Sequence, residues 1–283
     1  MLGQYLITFR EAFEAALITA IILSYLAKTS RYGLVRYVWY GISLAVVASI
    51  SLGAVVWFTY GVLPETSKLL FEAVAAFVAV FVLSSMIYWM AVKGRNIKSE
   101  MEKRVEIVAS RGAIIGLASL GFIVVFREGF ETVLFLTPFL LSDAVATLGG
   151  LSFGILTAVF LAYGIFVVGM KINLQRFFYF TSIMLILLAG GLAGYGTHEF
   201  LEYHEETGFK AGWLSEPAYA LNIPTDSPFH HKGAIGSIFA VMFGYTVSAE
   251  WARIIVHLSY LAIALPLLIW VYRKMNRKKM AKA

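Results

Sequence analysis

The chain has 283 residues, 60% of them hydrophobic and only 14% charged, with a mean hydropathy of +0.79. That balance excludes a soluble globular protein and indicates an integral membrane protein. The lack of cysteine removes disulfides and the thiolate ligands that suit copper(I), structural zinc or iron–sulfur clusters. The formal charge of +6 reflects the placement of lysine and arginine about a membrane and is not read as nucleic acid binding.

Segments of about 20 or more apolar residues are predicted at 2–27, 37–60, 69–92, 112–140, 146–170, 177–201 and 249–272. Nothing alternates with period two, so the expected fold is an all-α membrane protein with seven transmembrane helices in one bundle. The first segment has no basic region ahead of it and contains Gln4, Arg10, Glu11 and Glu14. It reads as a spanning helix that is kept, not as a signal peptide. Between the third and fourth helices, Glu100, Glu102 and Glu106 alternate with lysines and suggest an exposed helical hairpin without a function of its own. The connection 202–232 carries Glu202, Glu205, Glu206, Glu216 and Asp226 with His204, His230 and His231. Such a loop either gathers cations or is simply wet. Residues 233–248 are apolar but too short to span, and are expected to be re-entrant or interfacial. Trp39, Trp57, Trp89 and Trp270 fall near span ends as interfacial anchors, and Gly150/Gly154 and Gly190/Gly194 have the spacing of close helix packing.

Basic residues set the orientation. Lys28, Arg31 and Arg36 follow the first helix; Lys93, Arg95, Lys98, Lys103, Arg104 and Arg111 follow the third; Lys171 and Arg176 follow the fifth. Arg273, Lys274, Arg277, Lys278, Lys279 and Lys282 follow the seventh, whereas the opposite side holds only Lys68, Lys210 and Lys232. The positive-inside bias therefore puts the N-terminus outside and the C-terminus in the cytoplasm of a multi-pass cell-membrane protein.

Two stretches repeat: Phe9-Arg10-Glu11-Ala12-Phe13-Glu14 and Phe126-Arg127-Glu128-Gly129-Phe130-Glu131, 117 residues apart on the first and fourth helices. Those two helices run in opposite senses in this topology. The expected plan is a 3+3 inverted repeat plus one additional C-terminal helix, with the substrate site at the repeat interface near the midplane. One transmembrane domain, 1–283, divides into repeat one (about 1–92), repeat two (about 112–201), an outer loop (202–248), the last helix (249–272) and a basic cytoplasmic tail (273–283). Within each motif the glutamates are three apart and share a face, and the arginine lies four residues from the second glutamate. Charge inside a bilayer costs at least ~2.5–3.5 kcal/mol per residue and usually lines an ion path. Four carboxylates against two guanidiniums call for a hard cation or protons, with affinity falling as the carboxylates protonate. A purely structural reading, an intrahelical Arg–Glu pair that makes buried charge tolerable, accounts for Arg10 with Glu14 and Arg127 with Glu131. It leaves Glu11 and Glu128 unpaired and the duplication unexplained.

Two Arg-Glu-x-x-Glu motifs on the first and fourth of seven helices, with the N-terminus outside, resemble the high-affinity iron permease family of fungal-type iron transporters and their bacterial relatives. The resemblance covers essentially the whole chain. It implies inward iron transport, with Glu11, Glu14, Glu128 and Glu131 binding the metal and Arg10 and Arg127 as orienting counter-ions. Many family members have glycine after the first glutamate, as at Gly129; Ala12 departs from this. Glu72, His198, Glu199 and Glu202 resemble acidic positions of the family and offer an entrance site, against the plain reading of wet residues at helix ends. The run from His198 to Glu202 lacks the second histidine of a zinc protease, and His257 is expected to be packed or hydrogen-bonded. No resident cofactor is expected, since iron ions are the transported substrate. Partners are the lipid bilayer and an extracytoplasmic ferroxidase or iron-delivery protein. The competing functions are a proton-coupled carrier of another hard divalent cation, manganese or lead-like, and an intramembrane metal-dependent hydrolase; the chain is not read as an enzyme.

Overall fold

A computed structural model describes residues 1–93, 97–110, 114–166, 168, 173–209, 212–231, 233 and 235–280. These form α1 (Leu2–Lys28), α2 (Val35–Gly61), α3 (Glu65–Lys93), α4 (Ile97–Ser110), α5 (Ile114–Ser142), α6 (Ala144–Phe166) and α7 (Leu174–Glu206). A strand β1 (Pro217–Ala220), a short helix α8 (Gly236–Phe243), a strand β2 (Ser248–Glu250) and α9 (Trp251–Met280) follow. Of the basic residues used for orientation, Arg95, Arg111, Lys171, Lys210, Lys232 and Lys282 lie outside the described residues.

This is an all-α membrane protein. Among the described residues, α2 (with the turn before it), α3, α6, α7 and α9 are long and apolar enough to cross a bilayer. The helices α1 and α5, of 27 and 29 residues, match them in length and carry the motif charges. Large apolar side chains point outward on α2 (Leu44, Val47, Ile50, Phe58) and on α6 (Phe153, Leu156, Val159, Phe160). Such a surface invites aggregation in water and suits lipid.

Local signals explain the helix ends. The Asp143 carboxylate accepts the Ala146 N–H at 2.9 Å, so one residue both closes α5 and caps α6. Asn173 caps α7 in the same way, accepting the Arg176 N–H at 3.2 Å. Pro138 sits inside α5 and Pro266 inside α9 without ending either helix, as membrane helices tolerate when neighbours satisfy the freed backbone.

The helices pair α1 with α6, α2 with α5, α3 with α7, and α7 with α9, while α1 also packs on α5. Glycines set the first two contacts. A Cβ on Gly150 would meet the Gln4 side chain, the Met1 carbonyl and the Tyr5 amide, and one on Gly41 would run into the Ala118 carbonyl and the Phe122 amide. The backbones thus touch where no side chain intervenes. The central apolar cluster, including Ile7, Leu83, Phe135 and Leu188, fills the space between α1, α3, α5 and α7.

Two sequence expectations change and one holds. Residues 97–110 form one amphipathic helix, not an exposed hairpin: Met101, Val105 and Ala109, at i, i+4 and i+8, are buried and α4 lies against α1 and α5. The segment 233–248 is, as expected, too short to span: its helix α8 has eight residues, about 12 Å at 1.5 Å per residue. Two strands, β1 and β2, pair antiparallel ahead of α9, although no period-two pattern marked them. They are four and three residues long, below the length at which alternation becomes legible.

Substituting Gly150→Leu should lower the thermal midpoint of the detergent-solubilised protein by the equivalent of about 1–3 kcal/mol of overpacking. An unchanged midpoint in a scanning-fluorimetry trace would contradict the close α1–α6 contact.

Candidate metal centre

The two motifs meet. Helices α1 and α5 pack together in mid-length, and carboxylate oxygens of Glu11, Glu128 and Glu131 all lie within 4.8 Å of one another. All three residues are buried, with exposures of 0%, 3% and 7%. Among the described residues, the Oε2 atom of each has no hydrogen-bond partner. Three hard oxygen atoms are thus presented to one point inside a largely apolar bundle, an arrangement that is costly empty and suited to a hard cation.

The arginines behave differently from one another. Arg10, 1% exposed, reaches Glu11 Oε1 at 2.5 Å through one terminal nitrogen and Glu14 Oε1 at 2.6 Å through the other. The Met86 thioether of α3 accepts a further contact at 2.7 Å. Arg127 pairs with Glu131 alone, Nε to Oε1 at 2.9 Å, and its half-exposed guanidinium lies over the Trp89 ring at 4.9 Å. One expectation is therefore corrected: Glu11 is paired, because the long Arg10 fork reaches both Glu11 and Glu14. Glu14, the fourth expected ligand, is buried beside the close cluster of three with its carboxylate held by Arg10. Glu128 has no ion pair among the described residues. Trp89 serves Arg127 as a cation–π platform in addition to its place near a helix end.

Gly129 accounts for its own identity. A Cβ there would strike the Ser49 hydroxyl of α2, which is itself bonded to the Ala45 carbonyl at 2.9 Å. The glycine lets α5 lie on α2 with Glu128 and Glu131 turned to α1.

The second group of candidates separates. Ligand atoms of His198, Glu199 and Glu202 on α7 lie within 4.8 Å of one another. His198 Nδ1 is 3.0 Å from Glu250 Oε1 and its Nε2 is 3.8 Å from Glu202 Oε2. The hydrogen bond from His198 holds the Glu250 carboxyl below the usual carboxylate range. Glu72 lies outside the three clustered ligands; its oxygens accept hydrogen bonds from Tyr60 at 2.5 Å and from Tyr195, and the Tyr195 hydroxyl also interacts with Glu199. Sequence reasoning missed Met86, Tyr60, Tyr195 and Glu250. Met86, Tyr195 and Glu250 reach partners more than 50 residues away and Tyr60 reaches the next helix, and none sits in a motif. His257 is buried as expected, but its Nδ1 has no hydrogen-bond partner among the described residues.

Comparison with known proteins gives a consistent picture. The chain is 44% identical over 278 residues to an uncharacterized protein of Archaeoglobus fulgidus, covering 98% of each. It is 32% identical over 268 residues to the ferrous iron permease EfeU of Escherichia coli O6:H1, covering 94% of each. It is also 32% identical over 268 residues to the ferrous iron permease EfeU of Yersinia pestis, covering 94% of this chain and 92% of that one. No solved structure matches the chain. Residues 1–271 match the iron permease FTR1 family, and with two Arg-Glu-x-x-Glu motifs joined at a buried carboxylate cluster the chain is a multi-pass membrane protein that belongs to that family.

Proposed function

We propose that this protein carries iron inward across the cell membrane through a midplane site in which Glu11, Glu128 and Glu131 bind the ion. Arg10 and Arg127 orient the carboxylates, and Glu14 holds Arg10 in place and joins the shell when the helices rearrange. The observation that carries the reading is the convergence of three buried carboxylates from both motifs, each with an oxygen that no other described group uses. The ferrous iron named for the Escherichia coli and Yersinia pestis relatives makes ferrous ion the first substrate to supply. An inside-negative membrane potential drives a cation inward by ~2.3 kcal/mol per elementary charge per 100 mV.

The transport cycle we propose uses seven spans, α1, α2, α3, α5, α6, α7 and α9, arranged as two inverted three-helix units and one extra helix in a single domain. Helix packing supports the repeat. The offset of 117 that superposes the motifs carries Met1 onto Ala118 and Tyr5 onto Phe122. Those are the backbone groups that Gly150 and Gly41 cover, so α1–α6 and α5–α2 meet through equivalent atoms. His198, Glu199 and Glu202, with Glu250, form the entrance site on the outer side, and Glu72 joins it through the Tyr195 hydroxyl it shares with Glu199. A ferroxidase or delivery protein outside the membrane would present iron there.

Ferrous iron uptake into liposomes holding the purified protein should fall at least tenfold in the Glu11→Gln/Glu128→Gln variant at equal protein abundance, with excess manganese competing poorly. Equal flux in both proteins contradicts the site. For the entrance, His198→Asn with Glu199→Gln should raise the iron concentration for half-maximal uptake several-fold and leave the maximal rate within about twofold. An unchanged half-saturation point removes these residues from the path. The orientation is open to labelling, because the chain has no native cysteine. A cysteine replacing Lys274 should react with an impermeant maleimide only from the cytoplasmic side, and one replacing Ser227 only from outside. Reversed labelling overturns the topology.

A further inference from the structure

Two adjoining cavities of about 260 and 250 Å³ lie between α7, α8 and the first turns of α9, and both are lined by Arg253, Gly244 and Tyr245. Their volume is ample for several waters or for a polyatomic ion. Three features make this a constructed space. First, the glycines Gly190 and Gly194 of α7 face α9 mainly through the side chains of Leu261, His257 and Arg253, with the Arg253 carbonyl 3.7 Å from a Cβ at 194. A Cβ at 194 would sit 3.3 Å from Arg253 Cγ, and one at 190 would sit 3.2 Å from His257 Cε1. The GxxxG spacing therefore clears room for a guanidinium and an imidazole stacked four residues apart on one helix face. Second, Gly244 ends α8 at φ +64°, a left-handed conformation that favours glycine, and a Cβ there would come within 2.8 Å of His257 Nδ1. Third, both polar groups are unused. The His257 ring is 8% exposed and its Nδ1 has no hydrogen-bond partner among the described residues. Arg253 makes no ion pair or hydrogen bond among the described residues; Glu250 and Glu199 are its nearest carboxylate neighbours, and Glu250 Oε1 is 3.0 Å from His198 Nδ1.

We infer that this cavity binds a compact oxyanion of the phosphate or bicarbonate class, held by the Arg253 fork and the His257 Nδ1–H. A planar guanidinium with five donors matches two oxygens of such an anion, and burial strengthens the contact relative to water. Tyr219 lines the second cavity; Tyr195 lines the first, but its hydroxyl is already donated to Glu72. The only motif-like feature of this region, the glycine pair, is thereby given a role beyond helix packing. Neither cavity is lined by a motif glutamate, although Pro138, Phe139 and Ser142 of α5 and Tyr195 line the first and Arg253 interacts with Glu250 and Glu199 of the proposed entrance.

The test uses metal-free full-length protein in detergent, stripped of lipid and titrated calorimetrically at fixed ionic strength. Inorganic phosphate and sodium bicarbonate are compared with chloride, and phosphatidylglycerol in mixed micelles forms a separate arm. Saturable one-to-one binding of phosphate or bicarbonate, weakened at least tenfold in Arg253→Gln and in Gly194→Leu, is the expected result. The second variant fills the space without removing the charge, and gel filtration checks that both are folded. Binding of phosphatidylglycerol with none of the free anions would assign the same oxyanion site to a lipid headgroup. No saturable binding by the wild-type protein in any arm, or equal binding in both folded variants, overturns the inference.

Discussion

The Arg10 guanidinium, buried among Glu11, Glu14 and Met86, is the interaction on which the centre of this bundle depends. Four carboxylates are nearly free of solvent here, and a carboxylate taken out of water without a partner is among the most destabilising features a fold can contain. Arg10 neutralises two of them at once through separate terminal nitrogens. It does so where α1 packs on α5 and Met86 of α3 reaches its guanidinium. Removing one member of such a buried group commonly costs about 3–5 kcal/mol, so the charges fix the helix arrangement as firmly as the apolar contacts do.

The two copies of the pentapeptide are chemically alike and are put to different use. In the first, the arginine is sealed and divided between both glutamates. In the second, Arg127 serves Glu131 alone and rests on Trp89 with part of its surface open, which leaves Glu128 without a cation among the described residues. The unsatisfied negative charge of the centre is therefore concentrated on the α5 side and faces Glu11 across the α1–α5 contact. In the proposed function a cation bound there would relieve repulsion between carboxylates and supply the partner that Glu128 lacks, through a ligand set made of hard oxygens and with release of any protons the carboxylates hold.

Much of this was legible in the residues. The hydropathy of the chain and the lengths of its apolar runs marked the long helices, and the duplicated motif marked the centre, because charge in an apolar run is rare enough to be informative singly. What escaped was set by distance in the chain. The positions of Glu14 and Glu11 relative to the cluster depend on how far a flexible arginine reaches, which helical spacing does not specify. Glu72 was grouped with His198, Glu199 and Glu202 by resemblance to the family's acidic positions; that Tyr60 of α2 and Tyr195 of α7 hold it was not legible in any motif. The amphipathic character of α4 was masked by its charges, since only Met101, Val105 and Ala109 carry its apolar face. Gly190 and Gly194 had the right spacing for helix packing, but the partner turned out to be Arg253 and His257, which no local pattern connects to them.

The claim that a set of carboxylate oxygens binds the ion is most directly tested by the iron K-edge absorption spectrum of the protein loaded with one equivalent of ferrous ion. The account predicts a first shell of oxygen alone, disrupted when Glu128 is replaced by glutamine. A shell containing sulfur would put Met86 on the metal, and one dominated by imidazole would move the site to the histidines; either result would contradict it.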